Sequence, residues 1–183
     1  TSAGPGRIAP EEIGAQAEAH LRALGRDPEG IADLIVLTEV LPEREMPALL
    51  AACDVIVLPT RGEGWGRPVT EAMAMGRPAI ATDHSGPAEY IDEAVGWPIP
   101  ATPGAVSDEA AQELPAYRGH EWAEPSVEAL AAALRAAHAD PAERARRGAA
   151  ARAAMAPYLS PIHISEPTRQ AENSADVFCL KKK

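Results

Sequence analysis

Cysteine is nearly missing from this chain: Cys53 and Cys179 are the 2 in 183 residues. With no CxxC and no Cys/His spacing, they exclude a disulfide framework and fit a reducing compartment, so a cytoplasmic location is expected. Aromatic residues are scarce too, at 4%. The core must then come from Leu, Ile, Val and Ala packed between helices and a sheet, an α/β layer arrangement. Positive charge is also short, since 17 Lys and Arg against 27 Asp and Glu leave a formal charge of -10. That balance argues against nucleic acid as a partner, because phosphate backbones are gripped by clustered basic side chains. No stretch approaches eighteen apolar residues, and the opening residues 1–7 lack an apolar signal-peptide core, so neither a transmembrane segment nor a leader is expected. His20, His120, His138 and His163 show no metal-ligand spacing, and no metal is expected.

What remains is a chain long enough for one domain burying roughly 70% of its unfolded surface. Residues 11–24 read as a helix, with Ile13, Ala17, Leu21 and Leu24 on one stripe and Gly25 as its stop. Unbroken apolar runs at 33–38 (with Leu34, Ile35, Val36 and Leu37) and 54–58 (with Val55, Ile56, Val57 and Leu58) mark strands covered on both faces; a weaker run spans 78–82. Helical segments at 46–52 and 68–75 fill the gaps, so the order is strand and helix in alternation. The expected fold class is α/β with a doubly wound, Rossmann-like parallel sheet. Residues 98–124 are rich in Pro and Gly and read as a long surface excursion, followed by helices at 125–139 and 141–156, each opening on a proline.

The last stretch differs in kind. It holds every lysine (Lys181, Lys182, Lys183), the sole Asn (Asn173) and the sole Phe (Phe178). Upstream residues favour GC-rich codons, whereas these favour AT-rich ones. Residues 161–183 are therefore expected to be a non-native or disordered tail from read-through into foreign DNA. Resequencing the native locus tests this expectation.

The chemistry concentrates between Glu63 and Glu71. In doubly wound sheets ligands bind beyond the carboxyl ends of the strands, where the loop after residue 58 lies. Gly64 and Gly66 let a ligand approach the main chain. Pro68 suits a first helical position and leaves the N–H groups of Val69, Thr70 and Glu71 free for an anionic diphosphate. Two carboxylates cannot usefully meet phosphate but accept hydrogen bonds from hydroxyls, so each glutamate is expected to hold a different sugar ring. Asp83, His84 and Ser85 have the residue types of a hydrolase triad, yet adjacent side chains on an extended segment face apart and no G-x-S-x-G elbow occurs.

Running on from the glutamate pair, Ala72-Met73-Ala74-Met75-Gly76-Arg77-Pro78 and Thr82-Asp83-His84-Ser85-Gly86-Pro87-Ala88-Glu89 complete a pattern. Residues 41–100 resemble the C-terminal, donor-binding half of GT-B glycosyltransferases, specifically the retaining family 4, truncated at the N-terminus. The resemblance implies that residues 1–160 form a nucleotide-sugar-binding Rossmann-like domain without its first strand-loop segment, that the parent enzyme transfers a hexosyl group from a nucleotide-sugar with retention of configuration, without a metal or other cofactor, and that this fragment alone is inactive. It gives Glu63 the catalytic position, holding the donor sugar near the reacting centre, and gives Glu71 the ribose. Gly64, Trp65, Gly66, Arg67, Val69 and Thr70 would line the donor, Val40 and Leu41 would contact the base, and Arg61, His84 and Glu89 would lie at its edge. The acceptor, a carbohydrate, lipid or protein, would bind a missing N-terminal domain. The family's Arg and Lys clamp on the diphosphate has no counterpart in this chain, and Arg61 and Arg67 are the expected substitutes. Two rivals remain: a non-catalytic nucleotide-sugar-binding module, and a GT-B epimerase or phosphorylase.

Overall fold

The computed structural model describes residues 10–27, 30, 35, 37, 41–158 and 178–180, and the chain divides into a unit of residues 1–42 and one of residues 43–183. In the first unit α1 (Pro10–Ala23) ends where glycine allows it. Gly25 takes φ 67, its N–H reaches the Arg22 carbonyl at 3.0 Å, and the Arg26 N–H reaches the Leu21 carbonyl at 2.9 Å. Ile13, Ala17 and Leu21 are half-buried, but Leu24 is 64% exposed. It lies past the last helical turn, where the 3.6-residue phase no longer holds. The strand expected at 33–38 falls largely outside the described residues; Ile35 and Leu37 are described, belong to no strand, and are 79% and 59% exposed.

In the second unit the order is α2 (Met46–Ala52), β1 (Val55–Leu58), α3 (Arg67–Ala74), β2 (Ala79–Thr82), β3 (Gly96–Ile99), β4 (Ala101–Ala105), α4 (Asp108–Glu113), β5 (Glu121–Pro125), α5 (Val127–Ala139), α6 (Pro141–Met155) and β6 (Phe178–Leu180). The main sheet runs β3-β2-β1-β6. β1, β2 and β3 are parallel, with Ile56 opposite Ala79 and Ile80 opposite Trp97. β6 pairs antiparallel with β1, Cys179 opposite Ile56.

Every residue of β1 and β2 is buried, and the alternation of a strand sends successive side chains to two different cores. Ile56, Leu58, Ala79 and Ala81 pack with Leu50 of α2, Val69 and Met73 of α3 and Met155 of α6. Val55, Val57 and Ile80 pack on the other face with Ile99 and with Ala133 and Ala137 of α5. Helices thus cover both faces of a parallel sheet, which is the doubly wound α/β class anticipated. Small residues let the layers approach closely. A Cβ on Gly148 of α6 would collide with the Gly76 carbonyl oxygen at the end of α3.

The excursion expected at 98–124 is more structured than its composition suggests. β4 and β5 form an antiparallel hairpin, with Pro103 opposite Ala123, around α4, whose first turn is capped by the Ser107 hydroxyl. Pro125 ends β5 rather than opening a helix, and Ser126 caps α5 by accepting the Ala129 N–H at 3.1 Å. Asp140 does the same for α6, taking the Glu143 N–H at 2.9 Å.

Candidate functional site

Because β1 and β2 are parallel neighbours, the loops leaving their carboxyl ends meet at one sheet edge. The Thr82 hydroxyl donates to the Thr60 carbonyl at 2.7 Å and ties the two loops at their roots. Farther out, the Glu63 N–H donates to Ser85 Oγ at 3.0 Å and the Gly86 N–H donates to the Glu63 carbonyl at 3.1 Å. Gly86 is a necessity there: a Cβ on it would lie 2.5 Å from the Gly64 carbonyl oxygen and 2.7 Å from Trp65 Cα.

Gly66 precedes α3 at φ 75, ψ 52, a left-handed angle that suits glycine. It also leaves a notch, since a Cβ would lie 2.8 Å from the Tyr90 hydroxyl. That hydroxyl donates to the Trp65 carbonyl at 2.6 Å and to the Gly66 carbonyl at 3.3 Å. Burial first, and then the negative charge of Glu63, push the Tyr90 phenol above its ordinary value, so Tyr90 stays a donor through the whole neutral range. The Trp65 ring is tilted against both Tyr90 and Tyr158, with centroids 5.0 and 5.4 Å apart.

The helix entrance differs from expectation in one respect. α3 begins at Arg67, Pro68 is its second residue, and the N–H groups of Val69 and Thr70 both donate to the Gly66 carbonyl, at 2.9 and 3.2 Å. They are not free for an anion, and Val69 is wholly buried in the core. As the residue capping α3, Gly66 supplies the carbonyl that accepts the first intrahelical bonds and occupies them. The N–H groups without a protein acceptor among the described residues belong instead to Gly64, Trp65 and Gly66, one step earlier in the chain.

The charged residues sort as follows. Glu63 is half-buried, and Glu71 is half-buried on the first turns of α3. Arg67 donates to Glu71 Oε1 at 3.1 Å, both side chains being about half exposed, so the pair contributes little to stability. Arg61 is engaged by a carboxylate. It makes two hydrogen bonds to Glu124, at 2.6 and 3.0 Å, and lies 4.4 Å from the Trp122 ring centre. The partner 63 residues away is brought in by the β4–β5 hairpin, and the shared hydrogen bond holds the Glu124 carboxyl below its ordinary range. His84 is exposed, with its N–H on the Thr82 carbonyl. Glu89 is exposed and borders an open groove of about 330 Å³ with Tyr90, Asp92, Ala154 and Tyr158, a groove that neither Glu63 nor Glu71 lines. Leu41 is half-buried in the first unit, and Val40 lies outside the described residues.

Tyr90 and the Ser85 hydroxyl were invisible to sequence reasoning as parts of this site. The available signal was indirect: a glycine before the helix, whose missing side chain leaves space that some other group must fill. Among the described residues no helix is long and apolar enough to cross a membrane.

Comparisons with known proteins agree with this architecture. The chain is 40% identical over 53 residues to an MMP alpha-(1->4)-mannosyltransferase of Mycolicibacterium hassiacum, covering 29% of this chain and 13% of that protein. It is 34% identical over 79 residues to a 2-deoxystreptamine glucosyltransferase of Streptomyces kanamyceticus, covering 43% and 20%. A colanic acid biosynthesis glycosyltransferase, WcaL, of Salmonella typhimurium is 38% identical over 77 residues, covering 38% and 19%. The chain thus spans no more than 20% of the length of these relatives. Among solved structures, sucrose-phosphate synthase from Thermosynechococcus elongatus superposes with a TM-score of 0.55 at 21% identity, over 84% of this chain and 32% of that one, a likeness of fold. The profile of the family described as "Glycosyl transferases group 1" matches residues 8–115 of the 183, and the chain belongs to that family.

Proposed function

We propose that this chain is the donor-binding half of a retaining, metal-independent family 4 glycosyltransferase whose complete form moves a hexosyl group from a UDP-, GDP- or ADP-sugar to an acceptor held by a further domain. The observation that carries the reading is the loop of residues 63–66: two glutamates flank it, and its unpaired N–H groups stand at the carboxyl edge of a parallel sheet. Relatives that move mannose and glucose support a hexosyl donor.

In this reading the amides of Gly64, Trp65 and Gly66 meet the diphosphate and sugar. They supply preorganised dipoles where negative charge grows as the glycosyl bond breaks. Glu63, its main chain held on both sides, accepts hydroxyls of the donor sugar. Glu71 accepts a ribose hydroxyl on Oε2, because Arg67 takes Oε1. Arg67 then sits beside the diphosphate as its nearest cation, while Arg61 is engaged by Glu124. Catalysis consists mainly of orientation and charge stabilisation, with the leaving diphosphate helping to take the acceptor proton.

Titration of the chain with nucleotide-sugars, read by ligand-detected NMR, tests the reading. Glu71→Ala is expected to weaken nucleoside diphosphate binding about tenfold, the size of one hydrogen bond to a charged group. Glu63→Ala is expected to leave that binding unchanged and to reduce turnover in the full-length enzyme. Wild-type behaviour of both variants would remove the role assignments.

A further inference from the structure

We propose that Ser85 and Tyr90 are positioning residues for the donor, two hydroxyls on one short turn that hold the main chain of residues 63–66 at its opposite ends and thereby aim its amides and Glu63 at the ligand. The proposal rests on the donor-site reading above and adds what sets its geometry.

The turn containing both residues is a bracket. At one end Ser85 Oγ takes the Glu63 N–H and the Gly86 N–H takes the Glu63 carbonyl. At the other end the Tyr90 hydroxyl is shared between the Trp65 and Gly66 carbonyls. No cis peptide bond occurs among the described residues, and in a trans peptide the carbonyl and the next N–H point in opposite directions. Each carbonyl drawn toward the bracket therefore turns the following amide away from it. Holding the carbonyls of Glu63 and Trp65 aims the N–H groups of Gly64 and Gly66 outward. The loop makes no ladder of its own that would do this.

Ser85 carries a second sign of purpose. At φ 53, ψ -138 it is the one non-glycine residue with positive φ among the described residues. These angles lie near the first central position of a type II′ turn, where glycine is the norm, and a side chain there costs energy. Glycine would relieve the backbone but has no hydroxyl for the Glu63 N–H. The strain is thus tied to a contact with the glutamate loop, as strain at a functional site often is.

The test uses the whole 183-residue chain and the variants Ser85→Gly, Ser85→Ala and Tyr90→Phe. UDP-glucose, GDP-mannose and ADP-glucose are each titrated beside the matching nucleoside diphosphate. Thermal midpoints and the hydrogen exchange of the Glu63 amide are recorded for each variant. Ser85→Gly is expected to keep or raise the thermal midpoint, while its Glu63 amide exchanges about fivefold faster and its affinity for the nucleotide-sugar falls about fivefold, the diphosphate alone binding as before. Ser85→Ala, which keeps the strain and loses the bond, is expected to lower the midpoint as well. Tyr90→Phe is expected to weaken both ligands, because it frees the amides nearest the diphosphate. A purely structural role predicts affinity losses that follow the thermal midpoint in all three variants, and that result overturns the proposal. So does an unchanged Glu63 amide in Ser85→Gly. If the wild-type chain binds none of the six probes, the donor-site reading falls and the proposal with it; if it binds and Ser85→Gly discriminates as the wild type does, the proposal alone falls.

Discussion

The two ends of α3 are held by opposite means. At its carboxyl end, backbone lies on backbone. Gly76 turns the chain at φ 74, Arg77 closes the helix by donating to the Ala72 carbonyl at 2.9 Å, and Gly148 of α6 packs against the Gly76 carbonyl with no space for a side chain. At its amino end, polar side chains from a loop about 20 residues away hold a glycine turn whose own amides stay open. The contrast shows how one helix serves stability and binding together. The packed end fixes the axis, and the tethered end keeps donors available that a packed end would have consumed.

The comparison can be broken first at the packed end. Gly148→Val drives a branched side chain into the Gly76 carbonyl and is expected to cost about 3 kcal/mol, read as a drop in the denaturant midpoint. A loss under about 0.5 kcal/mol would show that α6 can slide away and that this end is not rigid. At the tethered end Tyr90→Phe is expected to cost about 1 kcal/mol, one hydrogen bond's worth. It also changes the pH response. The folded chain retains the Tyr90 proton above the ordinary phenol range, whereas the unfolded chain releases it near pH 10. Stability from this group is therefore full below about pH 10 and declines as pH rises beyond it. Thermal midpoints across that range should flatten in Tyr90→Phe, and an unaltered alkaline slope would contradict the assignment. The smallest effect concerns α6, which backs the packed end. Arg146 and Arg147 hold the Glu143 carboxyl down at about 2, so its contribution is present above the ordinary carboxylate range and fades as pH falls toward 2. Glu143→Gln should remove that acid dependence from melting curves taken between neutral pH and pH 3, its small destabilisation being largest at neutral pH and shrinking as pH falls.

Legibility in the sequence followed the range of the interactions. β1 and α3 were readable because their signals are local: four apolar residues in a row mark a doubly covered strand, and Pro68 marks a helix entrance. The glutamate loop followed from its place after that strand. β4 was not readable, because Pro103 and Gly104 carry no strand propensity and the pairing with β5 comes from tertiary context. The Arg61–Glu124 pair was not readable either, because its members stand 63 positions apart. Tyr90 was missed for the same reason, since its bonds run back 25 and 24 residues to carbonyls that have no sequence signature at all. The Val69 and Thr70 amides differ from expectation by a finer margin, because the helix begins one residue before Pro68 and the carbonyl of its cap, Gly66, takes both.

One consequence follows from the three-residue strand on β1. A parallel sheet grows sideways one strand at a time, and the flank of β1 not taken by β2 is taken by Phe178–Leu180 running the other way. That flank has a single berth. Any other segment that would extend the sheet there must first displace those residues, and so short a ladder offers little resistance to exchange. The border of this sheet is therefore a point of competition between strands, and its occupancy decides how far the sheet extends away from β2.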